Sequence, residues 1–148
     1  GANFYRQASD ASTVERSMQM TLDQIENLVI DTNKSISYSV GGQATQSDLG
    51  SQDSQEKILI LESVQGENTQ HKEILKWNPD EKKLYCNYNS DRATDMKVMA
   101  ENISAFSADI SQAVSDGIVR FQITIQKKDK EMTQTYTVTL RNQLGADS

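Results

Sequence analysis

Two residues in this sequence could together act as a nucleophile and its base. Cys86 is the only cysteine and His71 the only histidine among 148 residues, and a thiol beside an imidazole is the minimum for thiolate catalysis. The surroundings of each argue against that use. Cys86 lies in Leu84-Tyr85-Cys86-Asn87-Tyr88, where alternation puts Leu84, Cys86 and Tyr88 on one sheet face. It is expected to be an inward-facing small hydrophobe. His71 closes the polar run Asn68-Thr69-Gln70 and is expected at the surface of a turn. One histidine and one cysteine cannot build a zinc site with the usual ligand spacing, and a single cysteine excludes an internal disulfide. The sequence holds no nucleophile elbow, phosphate loop or dinucleotide fingerprint. No enzymatic activity, metal or cofactor is expected.

Oxygen ligands are more plentiful. Asp31-Thr32-Asn33-Lys34-Ser35-Ile36 begins like a calcium loop, but Ile36 stands where the sharp turn needs glycine and Gly42 where the last carboxylate belongs. Asp48, Asp53 and Glu56 sit in a polar run from Gln43 to Glu56, where solvated acids are the ordinary outcome. Gln43, Asp48 and Asp53 are the candidates if that loop holds a ligand. Asn33-Lys34-Ser35 and Asn102-Ile103-Ser104 match the glycosylation acceptor pattern. The largest basic cluster, Lys127-Lys128-Asp129-Lys130, is interrupted by an acid and falls at a turn. With a net charge of −6 it points to a solvated hairpin tip, and no nucleic-acid partner is expected.

The elements that would position these groups begin with a helix. From Phe4 to about Ile36 there is neither glycine nor proline, and apolar residues recur at Phe4, Ala8, Ala11, Val14, Met18, Leu22, Ile25, Leu28 and Val29. Steps of three and four make one helical stripe, with charged and amide side chains on the opposite face. Ser12-Thr13-Val14-Glu15 fits a capping box, yet the stripe already runs through Phe4 and Ala8. The helix is therefore expected to enter the sequence already under way, as part of a longer chain. Its Met18 to Val29 portion is assigned to the core. Phe4, Tyr5, Ala8 and Ala11 are the candidates for contact with other subunits.

After Ile36 a polar loop is expected to Glu56, and then strands. Lys57 to Val64 is an apolar run, and Lys72 to Asn78 and Lys83 to Asn89 flank the turn Asn78-Pro79-Asp80. Ser90 to Lys97 reads as a second polar connection. Val98 to Ile110 suggests a turn and a strand, although Ile103, Phe106 and Ile110 would also suit a helix. Ile118 to Ile125 and Tyr136 to Leu140 form a hairpin with a polar tip from Lys127 to Gln134. The expected plan is a single α+β domain over 1–148, with a long N-terminal helix (1–36), a loop (37–56) and an antiparallel meander (57–142) against the helix. A mean hydropathy of −0.64 and an apolar fraction of 36% fit a wet surface over a modest core. No stretch is long and apolar enough to cross a bilayer.

Particular segments add a resemblance. Ala100-Glu101-Asn102-Ile103-Ser104-Ala105-Phe106-Ser107 is similar to a segment of J-type minor pseudopilins and W-type minor pilins. Tyr136-Thr137-Val138-Thr139-Leu140-Arg141-Asn142 resembles their closing strand. Glu62 after the Ile58 to Leu61 run, and Lys83-Leu84-Tyr85, fit the same layout, which competence pseudopilins of the F type share. The chain thus resembles the type IV pilin and type II secretion pseudopilin superfamily. That resemblance implies a non-enzymatic subunit that helps begin or cap a filament. Its partners would be other major and minor pilin subunits and assembly-platform proteins. It further implies an apolar half-helix upstream that holds the subunit in the cytoplasmic membrane before export to a cell-surface filament. An adhesin displayed at the filament tip, binding through the Gly41 to Glu56 or Ser90 to Lys97 loop, is the alternative.

Overall fold

In the computed structural model, residues 2–66, 69–87 and 96–145 are described, apart from the side chains of 2–12 and of Thr69. The first element is α1 (Ala2–Val29), whose side chains are described over the 17 residues from Thr13. Val14, Met18, Leu22, Ile25, Leu28 and Val29 are buried, as their spacing predicts. The helix does not run to Ile36. Its last turn closes with Ile30 N–H on Glu26 O and Thr32 N–H on Val29 O. The side chain of Asn33 then acts as a stretch of backbone: Nδ2 donates to Val64 O and Oδ1 accepts from Val64 N–H, both at 2.8 Å. An amide that pairs like a peptide unit lets the chain leave the helix without glycine or proline.

The next residues alternate, and Ser35–Val40 is strand β1 with Tyr38 buried. A two-residue turn at Gly41 (φ 58°) and Gly42 (φ 83°) leads to β2 (Gln43–Ala44). Positive φ at both positions is the turn geometry that matches strand twist, and it requires residues such as glycine. Then follow β3 (Lys57–Gln65), β4 (Thr69–Asn78), β5 (Lys83–Asn87) and β6 (Lys97–Ala100). They pair antiparallel in the order β2-β1-β3-β4-β5-β6. A second sheet holds β7 (Ile103–Asp109), β8 (Ile118–Lys127) and β9 (Lys130–Thr139), with the one-turn helix α2 (Ala113–Asp116) before β8.

The α+β expectation of one long helix over a single meander is thus overturned. The chain is mostly antiparallel strand, divided between two sheets. Part of the span assigned to helix (35–36) and parts of that assigned to loop (37–40 and 43–44) are also strand. The division falls at Asn102, whose φ of 62° turns the chain out of the first ladder. Beyond it, β7 pairs with β8 rather than with β6. At this point Ile103 N–H bonds to Lys82 O and Gln126 N–H to Asn102 O. The hairpin strands outrun their expected ends, because the turn needs only Lys128 (φ 54°) and Asp129 between paired Lys127 and Lys130.

One core joins these parts. From β8, Val119, Phe121, Ile123 and Ile125 are fully buried, in one cluster with Leu59, Leu61, Leu75, Trp77 and Leu84 of the larger sheet. The main contacts of α1 are with β9, then β8 and β6, so it lies over the second sheet and reaches the edge of the first.

Candidate functional site

The run from Gln43 to Glu56 is an ordered strap between the two sheets. Thr45 N–H bonds to Tyr38 O on one side. On the other, Asp48 N–H bonds to Ala108 O, Ile110 N–H to Gln46 O, and Gly50 N–H to Ser107 Oγ. An isolated bridge pairs Ser47 with Asp109. The strap covers the outer edge of β7, which would otherwise leave donors and acceptors unpaired.

Beneath it lies a lysine that the periodicity reading passed over. Lys57 is in phase with Leu59 and Leu61 on β3, so alternation turns it inward, and its side chain is 0% exposed. Its Nζ stands 2.7 Å from Asp48 Oδ2 and 3.9 Å from Asp53 Oδ1. It donates to Phe106 O at 2.6 Å and lies 5.3 Å from the centre of the Trp77 ring. Asp48 is held from its other oxygen. The Tyr38 hydroxyl donates to Oδ1 at 2.7 Å and Ala108 N–H at 3.0 Å. Oδ2 accepts no hydrogen bond among the described residues and meets Nζ as an ion pair. Burial, reinforced by the Asp48 hydrogen bond and charge, pushes the Tyr38 phenol far above its ordinary range, so it remains a donor. The Trp77 indole N–H donates to Ile103 O at 3.0 Å, completing the inner wall.

Two residues assigned to a ligand loop therefore face inward or sideways to Lys57. Asp48 is engaged by Tyr38, Ala108 and Lys57, and Asp53 is the more open member, its side chain 40% exposed. Gln43 sits apart, exposed on β2 and paired in register with Val40. The subunit-contact candidates Phe4, Tyr5, Ala8 and Ala11 fall in α1, but their side chains lie outside the described residues. Most of the second loop offered for a ligand, residues 90–95, also lies outside them. Cys86 is buried, as its alternation predicts, and His71 pairs with Ser63 within the β3–β4 ladder rather than lying in a turn.

A shallow cleft of about 170 Å³ opens between α1, β6 and the end of β8. Ser17, Met20, Gln24, Met99 and Lys127 line it, and Lys127 Nζ donates to Ser17 Oγ at 2.9 Å. Of its lining Met20 is 57% exposed, and Val98 elsewhere on β6 is 47% exposed. Among the described residues no cluster of three metal-ligating side chains occurs, and no helix is long and apolar enough to cross a membrane.

The Glu73 carboxyl is out of its usual range for structural reasons. Burial raises Glu73 on β4; His71 opposes the shift and Asp31 adds to it. The native state then holds this proton more tightly than the unfolded chain. Stability therefore falls as pH rises from the ordinary glutamate range through the raised native value, and stays lower above it. Glu73→Gln is expected to raise the melting temperature at pH 7 by about 2 °C and to leave it unchanged at pH 3. An equal gain at both values would show that the charge is not the cause.

In comparisons with protein-family models, with curated proteins and with solved structures, nothing matches this chain.

Proposed function

We propose that the chain is a structural subunit of a bacterial surface filament, a minor pilin or pseudopilin that helps begin or cap assembly. The observation that carries this reading is α1. Its apolar spacing, buried from Val14 to Val29, continues upstream in the sequence at Phe4, Ala8 and Ala11 within a helix that reaches back to Ala2. An apolar stripe of that length suits a helix shared between its own domain and neighbouring helices. Filament subunits associate head to tail by such heterologous contacts. The reading also rests on the resemblance of Ala100 to Ser107 and of Tyr136 to Asn142 to pilin segments. The first runs from the last residue of β6 into β7, and the second is the end of β9 with the residues after it.

In this reading the partners are other major and minor subunits and the assembly platform. The exposed Met20 of the α1–β6 cleft and the exposed Val98 of β6 are further apolar points for such contacts. An apolar segment upstream of Phe4 anchors the subunit in the cytoplasmic membrane before assembly, and the filament carries it to the cell surface. Deletion of the gene is expected to lower the number of surface filaments, and the intact gene to restore it. The strap favours no ligand-binding alternative, since its best-placed carboxylate is already engaged inside the protein.

A further inference from the structure

We propose that Lys57 and Asp48 become joined by an amide bond between Nζ and Cγ, formed by the folded protein itself. Four features of the Lys57 site support this. First, the reacting groups are in contact: Nζ lies 2.7 Å from Oδ2, an oxygen bonded to the carbon it would attack, and such juxtaposition removes most of the entropic cost of bringing them together. Second, the attacking nitrogen is shielded from water. The Lys57 side chain is 0% exposed and Trp77 walls it, so the water released by condensation has little opportunity to reverse the reaction.

Third, the two oxygens of Asp48 are treated differently. Oδ1 receives the Tyr38 hydroxyl at 2.7 Å and Ala108 N–H at 3.0 Å. Two fixed donors on one oxygen polarise the carboxyl and stabilise the negative charge that builds there when nitrogen attacks. Oδ2 accepts no hydrogen bond among the described residues, so it is the oxygen placed to collect protons and depart. Fourth, Asp53 stands 3.9 Å from Nζ on its more open side, a second carboxylate able to carry a proton.

The step balances without any co-reactant. One proton passes from the Lys57 ammonium to Oδ2 of the Asp48 carboxylate, which turns the ion pair into an amine and a carboxylic acid. The nitrogen lone pair attacks Cγ, and the electron pair moves onto Oδ1. Asp53 takes a proton from the attacking nitrogen and delivers it to Oδ2. The Cγ–Oδ2 bond breaks, water leaves, and the Oδ1 carbonyl re-forms. Asp53 ends as the carboxylate it began as. The one remaining N–H is placed to donate to Phe106 O, which already accepts from Nζ at 2.6 Å. The product is a covalent tie between the strap and the start of β3.

Mass spectrometry of the purified chain tests this directly. The intact protein is expected to be lighter than its sequence by one water. Trypsin is expected to cut after Lys34 and Lys72 but not after Lys57, giving a 35–72 peptide that lacks one water and yields no backbone fragments between Asp48 and Lys57. Asp53→Asn is expected to give a mixture of linked and unlinked chains in which the linked share grows on incubation. A wild-type mass that matches the sequence, with full cleavage after Lys57, overturns the proposal. So does a water loss that maps to another site. Complete linkage in Asp53→Asn would overturn the part given to Asp53.

Discussion

An aspartate at Ile25 is expected to leave the chain without a cooperative thermal transition. Ile25 is 0% exposed and belongs to the core cluster with Met18, Leu22, Leu28 and Val29. Losing its burial and leaving a void costs about 2–5 kcal/mol. Placing a carboxylate there without a partner adds several kcal/mol more unless it takes up a proton. Together these approach the whole stability of an ordinary domain, about 5–15 kcal/mol. Circular dichroism against temperature checks it. A melt within a few degrees of the parent would mean that α1 is not held by this stripe, and the packing described for it would be wrong.

The second large effect is expected at Lys57. Lys57→Met removes the ammonium and keeps much of the volume, so Asp48 is left as a nearly buried carboxylate with its Tyr38 and Ala108 donors but no cation. Breaking a buried pair from one side costs about 3–5 kcal/mol. The lower end applies here, because the Asp48 side chain retains 12% exposure. Any amide between the two residues would be lost as well, which acts in the same direction. The double variant Lys57→Met, Asp48→Asn is expected to recover part of the loss. The asparagine oxygen can still accept from Tyr38 and Ala108, and the remaining carboxylate, Asp53, is 40% exposed. Urea unfolding of the two variants decides the matter. A double variant less stable than the single one would contradict the account of the strap as a charge-locked element.

What could be read beforehand depended on how local its cause was. The buried stripe of α1 was legible because helical spacing records burial directly, and the turn at Pro79 and the β8–β9 pairing were legible from equally local signals. The end of α1 was not. Ile36 continues the helical spacing, and the chain leaves the helix through an Asn33 side chain bonded to Val64, 31 residues away. The division into two sheets was hidden for a similar reason. A left-handed Asn102 breaks the ladder, and no composition change marks it. The strap looked like a loop because it contains almost no large apolar residues. Its order comes from hydrogen bonds to β7 and from the ion pairs of Lys57 beneath it. Lys57 could have been found, since strict alternation from Leu61 back through Leu59 turns it inward. An inward lysine calls for a carboxylate nearby.

We propose a filament subunit whose helix serves its own core in one part and its neighbours in another. The most direct measurement is a count of surface filaments, by electron microscopy, in a strain deleted for the gene and supplied with either the wild-type or the Phe4→Asp allele. The account predicts that the wild-type allele restores filaments and that Phe4→Asp does not, while the purified Phe4→Asp domain melts at the wild-type temperature. Equal numbers of filaments in the deletion strain and its parent would contradict the claim.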